Sequence, residues 1–338
     1  MARLYNHVKH KNEQFMKQLR VGFMGTPEFA VATLDAIRQA GHEVVCVVTT
    51  PDKPAGRGQQ MHCSDVKRYA LEHQLPVLQP EKLKDDSFVE DLRDYRADVF
   101  VVVAFRMLPR CVYAMPMLGT FNVHASLLPQ YRGAAPIQRA IMNGETKTGV
   151  TTFLLDEHTD TGAMLLQKEV EITREDNADT LHDKLMAAGA EIAVETLRQL
   201  AEGVAHPMPQ PETEVLKPAP KIFKEDMHIR WDDSAENIYN HVRGLSPYPA
   251  AFSLIGSRGK EDDVWKDCVL KIFEVEITDR PSRHKPGTIT LETEKKMFVA
   301  TKNFDISVKI LQMEGKRRMK TDDFLSGFRV DNYTNYLY

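Results

Sequence analysis

Asn122, His124 and Asp160 are the residues of this 338-residue chain whose types and order could do chemistry. The first two lie in Gly119-Thr120-Phe121-Asn122-Val123-His124-Ala125, where apolar and polar side chains alternate from Phe121 onward. Successive side chains of a strand point to opposite faces. The spacing therefore predicts a strand over 120–125 with Asn122 and His124 on one face, Phe121 and Val123 on the other. An amide donor beside an imidazole can polarise a carbonyl and move a proton. Asp160, in a later Asp-Thr-Gly turn, can supply the charge that sets the state of the imidazole. Singly, each residue also has a structural use: asparagine at a strand end forms turns, a histidine among apolar neighbours packs in a core, and aspartate before Thr-Gly turns or caps. The ordered set nominates a site.

The elements that must hold this set read as βαβ units around a parallel sheet. Strands are predicted over 20–24, 43–49, 98–104 and 120–125. Helices are expected between them, with Thr26 and Ser64 as caps. Two further strands, 150–155 and 165–172, flank the loop that carries Asp160, and a long amphipathic helix runs over 179–201. Five prolines punctuate residues 206–221, which read as an extended linker. After it come a short helix over 234–243 and several β-like runs at 251–255, 269–278, 287–291, 297–301 and 306–312, a pattern that suggests a small barrel. The expected fold is α/β: a Rossmann-like, mostly parallel sheet followed by a small β-barrel domain. The expected organisation is an extension over 1–18, a catalytic domain over 19–205, a linker over 206–221 and the barrel domain over 222–330.

Bulk properties narrow the function classes. Lysine and arginine number 44 against 48 aspartate and glutamate, so no global basic field marks a nucleic-acid partner. From His206 to the end the balance is 21 basic to 21 acidic, with local basic spots. The four cysteines, Cys46, Cys63, Cys111 and Cys268, form no CxxC pair, which suits reduced thiols in the cytoplasm and no zinc site. No apolar run approaches a membrane span of roughly 18 residues. Gly22-Phe23-Met24-Gly25-Thr26 lacks the G-x-G-x-x-G spacing of a dinucleotide site.

The order Asn122-x-His124-x-Ser126-Leu127-Leu128-Pro129, then Tyr131-Arg132-Gly133-Ala134-Ala135-Pro136, then Asp160-Thr161-Gly162 resembles the active centre of the 10-formyltetrahydrofolate-dependent formyltransferases. The likeness runs from about residue 19 to 329. It implies formyl transfer from folate N10 to an amine through a tetrahedral intermediate, with Asn122 as oxyanion donor, His124 moving the proton and Asp160 setting the imidazole state. No metal is required, because the formyl carbon is already electrophilic. The resemblance also implies a pterin-contacting set of Ser126, Leu127, Leu128 and Pro129 with Phe105 and Leu108, although Arg106 departs from the better-known members. Among those enzymes the chain is most similar to the branch whose acceptor is initiator methionyl-tRNA. The loop 50–58, with Lys53 and Arg57, matches the segment that enters the acceptor stem. Lys316, Arg317 and Arg318 match a basic segment closing a barrel of the oligonucleotide-binding type. The expected partners are that tRNA and the folate donor. A membrane is not expected, and the chain is expected to act as a monomer.

Overall fold

A computed structural model describes residues 17–55, 60–258, 265–292, 295–327 and 333–338. It divides into two compact units. The expected extension over 1–18 falls almost wholly outside the described residues.

The first unit takes in Met1–Arg132, Gly149–Val170 and Asp183–Pro218. Its sheet comprises β1 (Arg20–Gly25), β2 (Glu43–Val48), β5 (Val77–Leu78), β6 (Val99–Val103), β7 (Thr120–His124), β8 (Lys147–Leu154) and β9 (Met164–Glu171). A separate two-stranded hairpin pairs β3 (Lys53–Ala55) with β4 (Gln60–His62). The order across the large sheet is β5-β2-β1-β6-β7-β8-β9. Pairing is parallel from β5 through β7 and turns antiparallel between β7 and β8. The central strands β1, β2 and β6 are almost wholly apolar and buried, as strands covered on both faces must be. The helix Glu28–Gln39 covers one side with Phe29, Leu34 and Ile37. It starts on Pro27 without a side-chain cap, so Thr26 does not cap it as expected. Proline suits a helix start because its missing N–H would be unsatisfied there anyway. Ser64 does cap the helix Asp65–Glu72, its hydroxyl accepting from the Lys67 N–H at 3.0 Å.

The second unit takes in Gly133–Thr148, Glu171–His182 and Ala219–Tyr338. Its antiparallel sheet comprises β10 (Ala251–Arg258), β11 (Trp265–Pro281), β12 (Ile289–Glu292), β13 (Lys296–Val299), β14 (Phe304–Met313), β15 (Met319–Lys320) and β16 (Tyr333–Leu337). The path is β12-β13-β14-β11-β10-β16, and a bridge between Thr288 and Tyr336 all but closes it into a barrel. Ile272, Val299, Ile306, Leu311 and Leu337 fill the interior, with Ile238 and Leu245 of the helix Ala235–Leu245 packed in the same cluster. The Trp231 indole is buried and donates to the Ser253 hydroxyl at 2.9 Å, so its polar atom is satisfied. Strand β16 was not legible as a β-run, yet Leu337 within it is fully buried. No helix among the described residues is long and apolar enough to cross a membrane.

Candidate active site

Strand β7 keeps the alternation that its sequence dictates. Phe121 and Val123 are buried, Asn122 is half-buried and His124 is 6% exposed. Val102 of β6 and Phe153 of β8 flank Asn122, and Thr151 of β8 lies across from His124. The Phe153 ring meets the imidazole edge-on at a centroid distance of 6.5 Å. Among the described residues the Asn122 side chain makes no hydrogen bond, so its amide donors are unspent.

The two ring nitrogens of His124 differ. Nε2 lies 2.9 Å from the Tyr131 carbonyl oxygen. A carbonyl only accepts, so Nε2 carries a proton and donates it there. Nδ1 is left facing the Asp160 carboxylate at 3.9 Å, a distance for charge attraction beyond direct hydrogen bonding. Both side chains are largely shielded from water, at 7% and 13% exposure. Orientation of the ring thus comes from a backbone carbonyl, with the carboxylate acting through its charge.

Asp160 sits in the loop between β8 and β9 with φ +56°, a left-handed conformation uncommon outside glycine. Within the loop the Asp156 carboxylate accepts from the His158 N–H and the Thr161 hydroxyl at 2.9 and 2.8 Å. At Gly162 an added Cβ would lie 1.7 Å from the Leu154 carbonyl oxygen, so the chain passes where only glycine fits.

The folate candidates divide by what their atoms already do. The Ser126 hydroxyl is fully buried and donates to the Gln130 carbonyl at 2.7 Å. Leu128 is 3% exposed and its N–H donates to the Thr151 hydroxyl at 3.1 Å. Leu127 and Pro129 are half-buried. Phe105 packs at the edge of the core around Phe100, Leu108 and Val112. Leu108 also lines a cavity of about 460 Å³ with Leu83, Met107, Tyr113 and Asp156, so this hollow and Asp160 share one loop. Arg106 turns its guanidinium to the carbonyls of Pro80 and Glu81, bracing that segment.

The tRNA candidates lie apart. Lys53 is exposed on β3, and Arg57 lies outside the described residues. Lys316, Arg317 and Arg318 are exposed in the turn from β14 to β15. Arg318 stacks over Phe273 at 4.2 Å and lines a cavity of about 400 Å³ with Arg174 and Arg243. The last two carried no signal in the sequence, standing singly outside any basic run. Among the described residues no group of three or more His, Cys, Asp or Glu is placed to hold a metal ion.

Against known proteins, residues 19–197 match the formyl transferase family and residues 221–329 its C-terminal domain. The methionyl-tRNA formyltransferase of Bacteroides fragilis is 48% identical over 93% of this chain and 96% of its own length. That of Parabacteroides distasonis is 49% identical over 94% and 98%. Among solved structures, HypX from Aquifex aeolicus in complex with tetrahydrofolic acid covers 94% of this chain and 51% of its own, with a TM-score of 0.61 at 17% identity. An N-formyltransferase from Helicobacter canadensis covers 86% and 99%, with a TM-score of 0.58 at 18% identity. Those two likenesses concern the fold. Identity near one half along almost the whole of both chains is of another order, and on it the chain belongs to the formyltransferases, in the methionyl-tRNA formyltransferase family.

Proposed function

We propose that this chain transfers the formyl group of 10-formyltetrahydrofolate to the α-amino group of methionine on initiator methionyl-tRNA, and that Asn122, His124 and Asp160 carry the reaction. The observation that supports the reading most is the match to methionyl-tRNA formyltransferases along both units of the chain. The uncharged amine attacks the formyl carbon, a C–N bond forms, and the carbonyl π electrons move onto oxygen. The uncommitted Asn122 amide donates to that oxyanion. His124 keeps its Nε2 proton on Tyr131, so Nδ1 takes the proton released by the attacking nitrogen and passes it to N10. The imidazolium formed in between has the Asp160 carboxylate 3.9 Å away. Collapse breaks the C–N10 bond, and tetrahydrofolate leaves as a neutral amine.

For the donor, Leu108 forms the wall of the pterin hollow and Phe105 supports it from the core. Residues 126–129 follow His124 on the adjoining loop and do not line that hollow; their part in holding the folate rests on the family resemblance, with Leu127 and Pro129 the two whose side chains are half-buried. For the acceptor, Lys53 and Arg57 reach the stem, and Lys316, Arg317 and Arg318 meet backbone phosphate. We read 19–205 as the catalytic domain, 222–330 together with the closing strand β16 as the RNA-holding barrel domain, and 206–221 as their connection. The enzyme works in the cytoplasm as a monomer.

Single-turnover formylation of methionyl-initiator tRNA tests the reading, with elongator methionyl-tRNA as control. Asn122→Ala and Asp160→Asn should each lower the rate by roughly two to four orders of magnitude, the range for lost oxyanion donors and proton-transfer groups. A near-full rate in either variant refutes that residue's role. Arg57→Ala should raise KM for tRNA and leave KM for the folate unchanged.

A further inference from the structure

His124 and Asp160 belong to different elements, and at 3.9 Å no hydrogen bond between Nδ1 and the carboxylate fixes their separation. Two other residues span the gap. The Gln210 side-chain N–H groups donate to the carbonyl of Asp160 at 2.8 Å and to that of Gly162 at 3.0 Å. Its side-chain oxygen accepts from Nε and Nη2 of Arg132 at 3.1 and 2.6 Å. Chemistry forces this orientation, since the reverse would set NH₂ against a guanidinium and oxygen against two carbonyls. Arg132 directly follows Tyr131, whose carbonyl holds the His124 ring.

Both carriers are conformationally unusual. Tyr131 has φ +60° and Asp160 has φ +56°. A non-glycine residue there is strained and persists only where its surroundings hold it. Gln210 holds Asp160, and the Lys217 carbonyl accepts from the Tyr131 N–H at 2.6 Å. Both supports come from the proline-rich stretch. It is further tied down by reciprocal backbone bonds between Met164 and Met208 at 2.7 and 2.9 Å, and by the Gln130 side chain, which bonds Val215 and Lys217.

We propose that Gln210, acting through Arg132 on one side and the Asp160 backbone on the other, is a positioning residue that sets the distance between imidazole and carboxylate. The stretch around it is a strap across the active-site loops. The proposal rests on the roles given above to His124 and Asp160. Moving a reacting pair by about 1 Å can cost roughly 100-fold in rate. Gln210→Ala should therefore lower the single-turnover rate about 10- to 100-fold, with KM for folate and for tRNA within about threefold of wild type. Gln210→Glu keeps the acceptor for Arg132 but loses both donors to the Asp160 loop, so it should show the same loss if Gln210→Ala folds poorly. In an Asp160→Asn background the carboxylate to be positioned is gone, and Gln210→Ala should cost less than about twofold more. Full multiplicative loss in the double variant, an unchanged rate in both Gln210 variants, or a rise confined to KM would overturn the proposal. An inert Asp160→Asn would instead remove the role of Asp160 on which it rests.

Discussion

Thr151→Val replaces one buried hydroxyl by a methyl of nearly the same shape, beneath the loop that follows His124. The Thr151 side chain is fully buried and makes three hydrogen bonds. It donates to the Ser126 carbonyl at 2.6 Å and accepts from the Leu128 N–H at 3.1 Å and the Gln167 amide at 3.0 Å. Gln167 is exposed and can turn to water, so its loss is small. The Ser126 carbonyl and the Leu128 N–H lose the partner that served them in the interior, and an unsatisfied buried group costs about 1–3 kcal/mol. Less a modest gain from the added methyl, the substitution should destabilise the first unit by about 2–4 kcal/mol. Its thermal transition should fall by roughly 5–15 °C. Thr151→Ser keeps all three bonds and should cost only about 1 kcal/mol for the methyl group. Calorimetry on the three proteins decides. If Thr151→Val lies within about 0.5 kcal/mol of wild type, or Thr151→Ser is as damaging as Thr151→Val, the hydroxyl does not organise the loop and the reasoning fails.

Gly162→Ala would drive a Cβ against the Leu154 carbonyl and force apart the Leu154 to Ala163 backbone bond, so the Asp160 loop must shift; single-turnover rates should fall about 100-fold with a much smaller change in Tm, and a wild-type rate would contradict it. Burial lowers His42 below its ordinary pKa of 6.5, and lowers His241 likewise. The unfolded chain then binds protons between the lowered values and about 6.5 where the folded chain does not; stability is full above that window and declines as pH falls through it. Tm should drop between about pH 7 and pH 5, and His42→Asn, which keeps an acceptor for the Leu19 N–H, should flatten the slope; an unchanged slope would absolve His42. Hydrogen bonds from Lys67 and Gln79 hold the Asp52 carboxyl below the usual carboxylate range at the stem of the β3–β4 hairpin. Asp52→Asn should raise KM for methionyl-tRNA about threefold to tenfold and leave KM for the folate alone; equal changes in both would show that the clamp serves the whole unit.

What the sequence made legible was the part with a period. The alternation of β7, the apolar runs of β1, β2 and β6 and the long helix Ala178–Glu202 are local patterns, and the structure places them within a residue or two of expectation. Strand β16 has no comparable apolar run, and Leu337 is buried only by distant partners, β10 and the Gly287–Thr288 turn, that its own sequence does not mark. The site divides the same way. Asn122 and His124 share a face by strand geometry, so their neighbourhood was readable. The holder of the His124 ring is a main-chain carbonyl, which every residue possesses, and nothing in the sequence marks Tyr131 as the one that points it inward. Gln210 was hidden for a related reason, since a proline-rich stretch signals extension but not what it runs against.

A carbonyl at Nε2 also bears on how the proton moves. Had a carboxylate held that nitrogen, the ring would lie between two anions, and either nitrogen could serve as the proton's resting place. A neutral acceptor fixes one N–H without adding charge, so in the proposed mechanism every change in protonation falls on Nδ1, the atom that faces Asp160. One nitrogen then serves both the attacking amine and the leaving N10. The step that forms the cation does so where a carboxylate stands near enough to stabilise it, yet too far to take the proton directly. On the proposed roles, the 3.9 Å gap is thus part of the chemistry. A direct hydrogen bond to the carboxylate would need a proton already on Nδ1, which could then accept none, and widening the gap would leave the imidazolium without its counter-charge.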